Sequence, residues 1–133
     1  MHVLKFLTLV TAPLALVGCS LLPVSGNLPS HKDLPGYPAA LLTAELVFDG
    51  ECLFADSTES AGRWLPIWPR GFALHDRVLT DLNGRVAAIG DTMKLGGGEY
   101  HDSDFDFVQT MLVVPIPASC RGGDYWLVSE VVE

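Results

Sequence analysis

Apolar and polar residues follow one pattern near the start of the chain and another from about residue 41 onward. Residues 6–17 are mostly apolar and contain no charge, and Lys5 precedes them. An apolar stretch of about 7–15 residues behind a basic start is typical of the h-region of a secretory signal peptide. A membrane-spanning helix needs about 20 apolar residues, and Pro13 interrupts this shorter run. The pattern therefore predicts a cleaved leader.

From about residue 41 the apolar segments are short, and turn-forming residues separate them. Asp49-Gly50 lies between two apolar segments. It is a preferred pair for two-residue type I′ hairpins, although a strand bent by a glycine bulge would give the same pattern. Residues 81–84 and Gly90-Asp91 mark two further turns, and residues 96–98, all glycine, suit a bulge or positive φ angles. Short strands with turns about every 8–12 residues are typical of a barrel or sandwich.

The fold class predicted from this pattern is mainly β, with short antiparallel strands. One strand is predicted over residues 105–114 and a last one over residues 124–132. The pattern leaves room for a short helix near Gln109 or residues 117–120. A domain of this length has enough apolar residues for one small core.

Residues 21–38 separate the leader from this domain. The segment contains four prolines and shows neither the strand period nor the helix period. Such a composition predicts a partly extended tether, and the alternative is an arm that packs on the domain through Leu34 and Tyr37. The predicted organisation is a leader over residues 1–18, an anchor and tether over 19–40 and a β domain over 41–133.

The leader ends in Leu16-Val17-Gly18-Cys19, which resembles the lipobox of bacterial lipoproteins. In that family the cysteine sulfur receives a diacylglycerol, and the leader is cut just before it. The alternative is an ordinary secretory peptide that is cut elsewhere. The resemblance implies a lipidated Cys19, a location in the cell envelope outside the cytoplasm, and the membrane as a partner. Ser20 lacks the acidic character that often retains such proteins in the inner membrane, which points to the outer membrane.

The chain contains three cysteines. If Cys19 carries lipid, Cys52 and Cys120 remain, and two thiols in an exported protein are expected to pair. The sequence therefore predicts a disulfide that connects the first hairpin to the final strand.

Residues 68–74, 83–98 and 120–128 resemble parts of a small OB-like barrel domain found in exported bacterial proteins. The resemblance covers about residues 42–132. It implies the fold, but it assigns no catalytic residue, because folds of this size host unrelated functions.

The charge balance is acidic. The chain carries 8 Lys and Arg against 16 Asp and Glu, a formal net charge of −8 at pH 7. Nucleic-acid binding depends on cations that displace counterions from phosphates, so this balance argues against a nucleic-acid partner. It also disfavours electrostatic attachment to anionic lipid. A basic partner, a divalent cation or simple solubility fits the balance.

Motifs for nucleophilic or metal catalysis are missing from the sequence. No G-x-S-x-G occurs, His31 falls in the predicted tether, and His75-Asp76 is interpreted as a surface pair at a strand end. Zinc sites need clustered Cys and His, which the spacing does not provide. We therefore predict no catalytic residue and no cofactor.

A small cell-envelope hydrolase that uses acidic residues, with two carboxylates about 5–9.5 Å apart, is the alternative function.

Three aspartates alternate with other residues after Tyr100. On a strand, Asp102, Asp104 and Asp106 would share one face, and their oxygens would suit Ca²⁺. An EF-hand loop beginning at Asp102 would need Gly where the chain has Phe107 and Glu where it has Val113, so the EF-hand motif is absent. We interpret the three as a solvated acidic face, with a weak Ca²⁺-responsive site as the alternative.

Large aromatic residues allow two interpretations. Trp64, Trp68 and Trp126 are expected to pack in the core, and the alternative is an exposed surface that recognises sugar rings or peptide.

The predicted function is a lipid-anchored β domain with a non-enzymatic binding or envelope-structural role. An envelope protein or a glycan is its expected partner.

Overall fold

The structure is a computed structural model that describes residues 28–84 and 86–132. The predicted leader, the predicted lipidation site Cys19 and the start of the predicted tether lie outside these residues. Among the described residues, the helices lack the length and apolar character that a bilayer-spanning helix requires.

Strands dominate the described residues. The ten strands are β1 (Ser30–His31), β2 (Ala40–Asp49), β3 (Cys52–Ser57), β4 (Arg63–Pro69), β5 (Ala73–His75), β6 (Val78–Thr80), β7 (Ala87–Ala88), β8 (Thr92–Tyr100), β9 (Leu112–Val114) and β10 (Asp124–Val132). Helix α1 covers Phe105–Met111, and 3₁₀ turns cover Asp102–Asp104 and Ala118–Cys120. The mainly β fold class is thereby confirmed.

Five strands close into a barrel. β10 pairs with β8, β8 with β2, β2 with β3 and β3 with β4, all antiparallel, and β4 pairs with β10 in parallel to complete the ring. In chain order these five strands are β2, β3, β4, β8 and β10. If they are numbered 1 to 5, their order around the ring is 1-2-3-5-4, and strand 4 pairs with strand 1. This is the connectivity of an OB-like barrel, a five-stranded fold. β1 and β9 extend the sheet beyond β4.

The first hairpin is confirmed, but its loop is displaced by one residue. Asp49 pairs with Cys52, so the two loop residues are Gly50 and Glu51. Gly50 has a φ of 62°, the positive angle that a type II′ turn requires at its first loop position. Asp49 instead remains in the ladder.

The three-glycine segment in β8 lets β10 approach it closely. Gly97 has a φ of 144°, and a Cβ placed there would overlap the Leu127 carbonyl oxygen of β10. The register of β10 against β8 shifts nearby, between Val128 and Glu130. The predicted need for a positive φ is therefore confirmed at Gly97, and it serves to close the barrel.

The strands β4 and β10 are buried on both faces. The inner core fills the barrel and contains Trp68, Trp126 and Val128. The outer core lies on the opposite face, where Leu65 and Leu127 alternate with the inner residues. Because successive side chains of a strand point to opposite faces, the unbroken apolar runs of β4 and β10 serve two cores.

The outer core is covered by the chain between β8 and β10. Val108 and Met111, spaced for one face of a helix, place α1 on this core, and Ile116 and Cys120 complete the cover. A strand predicted over residues 105–114 is therefore wrong, apart from β9 at its end. The short helix near Gln109 was the better expectation.

The folded domain begins earlier than residue 41. Leu28 is 8 % exposed and His31 is 1 % exposed, and β1 pairs with both β4 and β9. The His31 Nε2 lies 2.7 Å from the Val128 carbonyl oxygen. Leu34 packs against the outer core, and the Tyr37 ring lies 5.6 Å from that of His31. The described part of the predicted tether is thus an arm that packs on the barrel.

Candidate functional site

A cluster of ionisable side chains lies where β8 ends and β10 begins. Tyr100 pairs with Tyr125 across these antiparallel strands, so His101 comes opposite Asp124. Glu99 is two residues before His101 and therefore shares its face of the strand. We call Glu99, His101 and Asp124 the His101 cluster.

Side-chain atoms of the His101 cluster converge on one point. The His101 Nδ1 lies 2.9 Å from Asp124 Oδ1 and 3.5 Å from Glu99 Oε1. One ligand atom from each residue lies within 4.8 Å of the other two. The hydrogen bond to Asp124 and its charge raise the pKa of His101 above the usual histidine value, and the charges of Glu99 and Asp104 add to this effect. The arrangement therefore favours the positively charged form of His101.

Asp102 is engaged in contacts of its own beside this cluster. It accepts a hydrogen bond from the Tyr125 hydroxyl and lies 3.7 Å from Arg121 Nη2. The Arg121 guanidinium in turn stacks 3.3 Å over the Phe105 ring. Burial and the bond to Asp102 raise the pKa of Tyr125. These contacts fix the turn that follows β8.

The predicted acidic face is not formed. Asp102 and Asp104 lie in a 3₁₀ turn and Asp106 lies in α1, so the three do not alternate along a strand. The Asp104 carboxylate accepts the backbone N–H of His101 at 3.3 Å, and this local bond favours a helical turn. The alternation in sequence was misleading, because short polar side chains bond to nearby backbone groups and favour turns.

Sequence reasoning missed the His101 cluster. Glu99 and His101 are close in sequence, but Asp124 is 23 residues beyond His101 and joins them only through the pairing of β8 with β10. Asp124 at the start of the last predicted strand was the available signal, but only the register of β8 against β10 brings it to Glu99 and His101.

The predicted disulfide is present. Cys52 at the start of β3 and Cys120 at the end of a 3₁₀ turn are joined, with an S–S distance of 2.04 Å and a Cα–Cα distance of 5.6 Å. Both are buried in the outer core. The bond links the first hairpin to the residues just before β10, and it leaves no thiol among the described residues to act as a nucleophile or zinc ligand.

The tryptophans do not form a recognition surface. Trp68 is 1 % exposed and Trp126 is 5 % exposed, and the half-buried Trp64 packs on the same core. The rings of Trp64 and Trp126 meet edge to face with centroids 6.2 Å apart. The core interpretation is therefore the one that the structure supports.

The surface on which OB-folds bind ligands is not free in this protein. OB-folds use the second and third barrel strands with their adjoining loops to bind oligonucleotides and oligosaccharides. Here those strands are β3 and β4, and α1 and the disulfide-linked turn cover their outer face. A ligand of that kind would have to displace this cover.

Comparison with known proteins adds no family. No family model, curated protein or solved structure matches the chain.

Proposed function

We propose that the protein is a lipid-anchored β-barrel domain of the bacterial cell envelope, located outside the cytoplasm, with a non-enzymatic binding or structural role. The Cys52–Cys120 disulfide is the observation that supports this proposal most strongly. Disulfides persist in oxidising compartments, and this one uses the two cysteines other than Cys19. The remaining cysteine stands at the end of an apolar leader, where a lipobox requires it.

The anchor would hold the domain close to the membrane. An extended chain reaches at most about 3.3–3.6 Å per residue, so the nine steps from Cys19 to Leu28 span no more than about 30 Å. This is about the diameter of a small domain. One acyl chain anchors a protein only marginally, and the two or three chains expected on a lipobox cysteine make the attachment stable. Partners within the envelope are therefore the ones within reach.

The geometry of the His101 cluster argues against hydrolysis by its two acids. The described cysteines are paired, and the Glu99 and Asp124 oxygens lie within 4.8 Å of each other. Glycosidase carboxyl groups stand about 5–9.5 Å apart across the bond to be cut. His101 between the two acids is largely exposed, so the pair does not enclose a substrate.

Expression of the full chain in a two-membrane bacterium tests the anchor. The membrane fraction should contain a chain that begins at Cys19 and carries added acyl mass, as measured by intact-mass analysis. Cys19→Ala should accumulate as an unprocessed precursor, whereas the neighbouring Ser20→Ala should be processed normally. A mature chain with an unmodified Cys19, or one cut at another position, would refute the proposal.

A further inference from the structure

We propose that Glu99, His101 and Asp124 form a binding site for a divalent transition-metal ion of the Zn²⁺ type. Glu99 and Asp124 lie on the paired strands β8 and β10, and His101 follows β8 directly. Each of the three side chains presents one atom that binds such metals. This inference goes beyond the anchored domain proposed above and does not depend on the lipid.

The distances within the His101 cluster suit a small ion. Zinc binds His nitrogen and carboxylate oxygen at about 2.0–2.2 Å, so two ligands of a tetrahedral ion stand about 3.3–3.6 Å apart. The Nδ1 to Glu99 Oε1 distance is 3.5 Å, and the Nδ1 to Asp124 Oδ1 distance is 2.9 Å. A small shift of one carboxylate makes room for the ion, which replaces the proton that His101 Nδ1 shares with Asp124. That proton passes to the buffer.

Two of the three ligands are placed by paired strands, and a backbone hydrogen bond holds the third just beyond the end of β8. Glu99 and Asp124 lie on strands that pair in register, with Trp126 opposite Glu99. The backbone N–H of His101 is fixed by Asp104 at 3.3 Å. A site on paired strands loses less conformational entropy on metal binding than a site on a loop.

The choice of ligands favours Zn²⁺ over Ca²⁺. Imidazole nitrogen suits zinc, copper and nickel, whereas Ca²⁺ and Mg²⁺ prefer oxygen alone. Three protein ligands leave a fourth position for water or for a group from a partner. All three side chains are partly exposed, His101 by 61 %, so this fourth position faces the solvent. The acidic surroundings, including Asp104, attract a cation.

Calorimetric titration of the disulfide-intact protein with a zinc salt tests the site. We expect saturable binding of one ion, with release of protons into the buffer. Loss of an outer-shell partner alone costs about 10–100-fold in metal affinity, so His101→Ala should weaken binding by at least about tenfold. Glu99→Gln and Asp124→Asn should also weaken it. Titration with Ca²⁺ should give no comparable signal.

Two matched variants control for general effects of charge and histidine. His75 is exposed at the end of β5 and Asp106 is exposed in α1, both outside the His101 cluster. His75→Ala and Asp106→Asn should bind zinc like the parent protein. A cooperative melting transition of metal-free His101→Ala shows that a loss of binding is not a loss of fold. Absence of saturable zinc binding, or equal binding by His101→Ala and the parent, would overturn the proposal.

Discussion

The inner and outer faces of β4 and β10 are both buried, but different structures bury them. The inner face is covered by closure of the five-stranded ring, in which every neighbour is a paired strand. The outer face is covered by α1 and a 3₁₀ turn, and a disulfide joins this cover to β3 across a sequence separation of 68. The barrel thus depends on continuous backbone pairing, whereas the outer layer depends mainly on apolar contacts and one covalent bond, with backbone pairing only where β9 meets β1.

This difference predicts two levels of stability in one small domain. Segments with few apolar contacts open at lower cost than the paired core of a protein. We therefore expect the outer layer to open before the barrel, and we expect changes in the barrel to have the larger global effects.

The largest effect is expected from Gly97→Ala. The φ of 144° is strained for alanine, and its Cβ would overlap the Leu127 carbonyl oxygen, so β8 and β10 would have to separate. We expect a loss of more than about 4 kcal/mol in the free energy of unfolding, measured by chemical denaturation. Gly123→Ala is the control, since a Cβ there meets no atom within 4 Å, and its effect should stay within about 0.5 kcal/mol. A Gly97→Ala protein as stable as the parent would show that β8 and β10 do not pack closely at Gly97.

Removal of the disulfide should come next. The double variant Cys52→Ala, Cys120→Ala loses a crosslink whose typical contribution is about 2–4 kcal/mol. Amide hydrogen exchange should show lost protection in α1 and retained protection in β2 and β8. Equal loss of protection in α1 and β2 would instead mean that the two layers open as one unit.

Met111→Ala probes the outer layer without touching the crosslink. Met111 is 6 % exposed in the outer core, and Met→Ala changes at buried sites cost about 2–5 kcal/mol. We expect the low end of this range, about 2 kcal/mol, because the neighbouring solvent lets the layer relax. In the variant without the disulfide the same change should cost less, since contacts within one layer are coupled. Denaturation of the parent, Met111→Ala, the variant without the disulfide and the combined variant gives the coupling energy. Strictly additive effects would show that Met111 and the disulfide are not coupled.

The smallest effect concerns His101. Asp124 is the largest cause of the raised pKa of His101 in the folded protein. The ion pairs of protonated His101 therefore contribute stability below about pH 6.5, the usual pKa of histidine. That contribution is lost as the pH rises through the raised pKa of the folded state. An NMR titration of metal-free protein should place the His101 midpoint above 6.5, its unperturbed value. Asp124→Asn should lower that midpoint, whereas Asp106→Asn should leave it in place. An unchanged midpoint in Asp124→Asn would show that the pair is not formed.

Several features of the fold followed from local chemistry in the sequence. The turn residues after β2 predicted the first hairpin, and the glycines of β8 predicted a positive φ, because only a few residue types tolerate such backbone angles. The Cys52–Cys120 pair was predictable because the assignment of Cys19 to lipid left no other partner. The leader and Cys19 remain predictions, since they lie outside the described residues.

Other features were decided only by the tertiary structure. Phe105–Met111 forms a helix rather than a strand, because it covers the apolar outer face of β4 and β10, and the residues of this segment alone do not reveal that face. The burial of His31 likewise depends on which strands enclose it. The His101 cluster exists because β10 returns beside β8 in one register, and register is a property of paired strands and not of either strand alone.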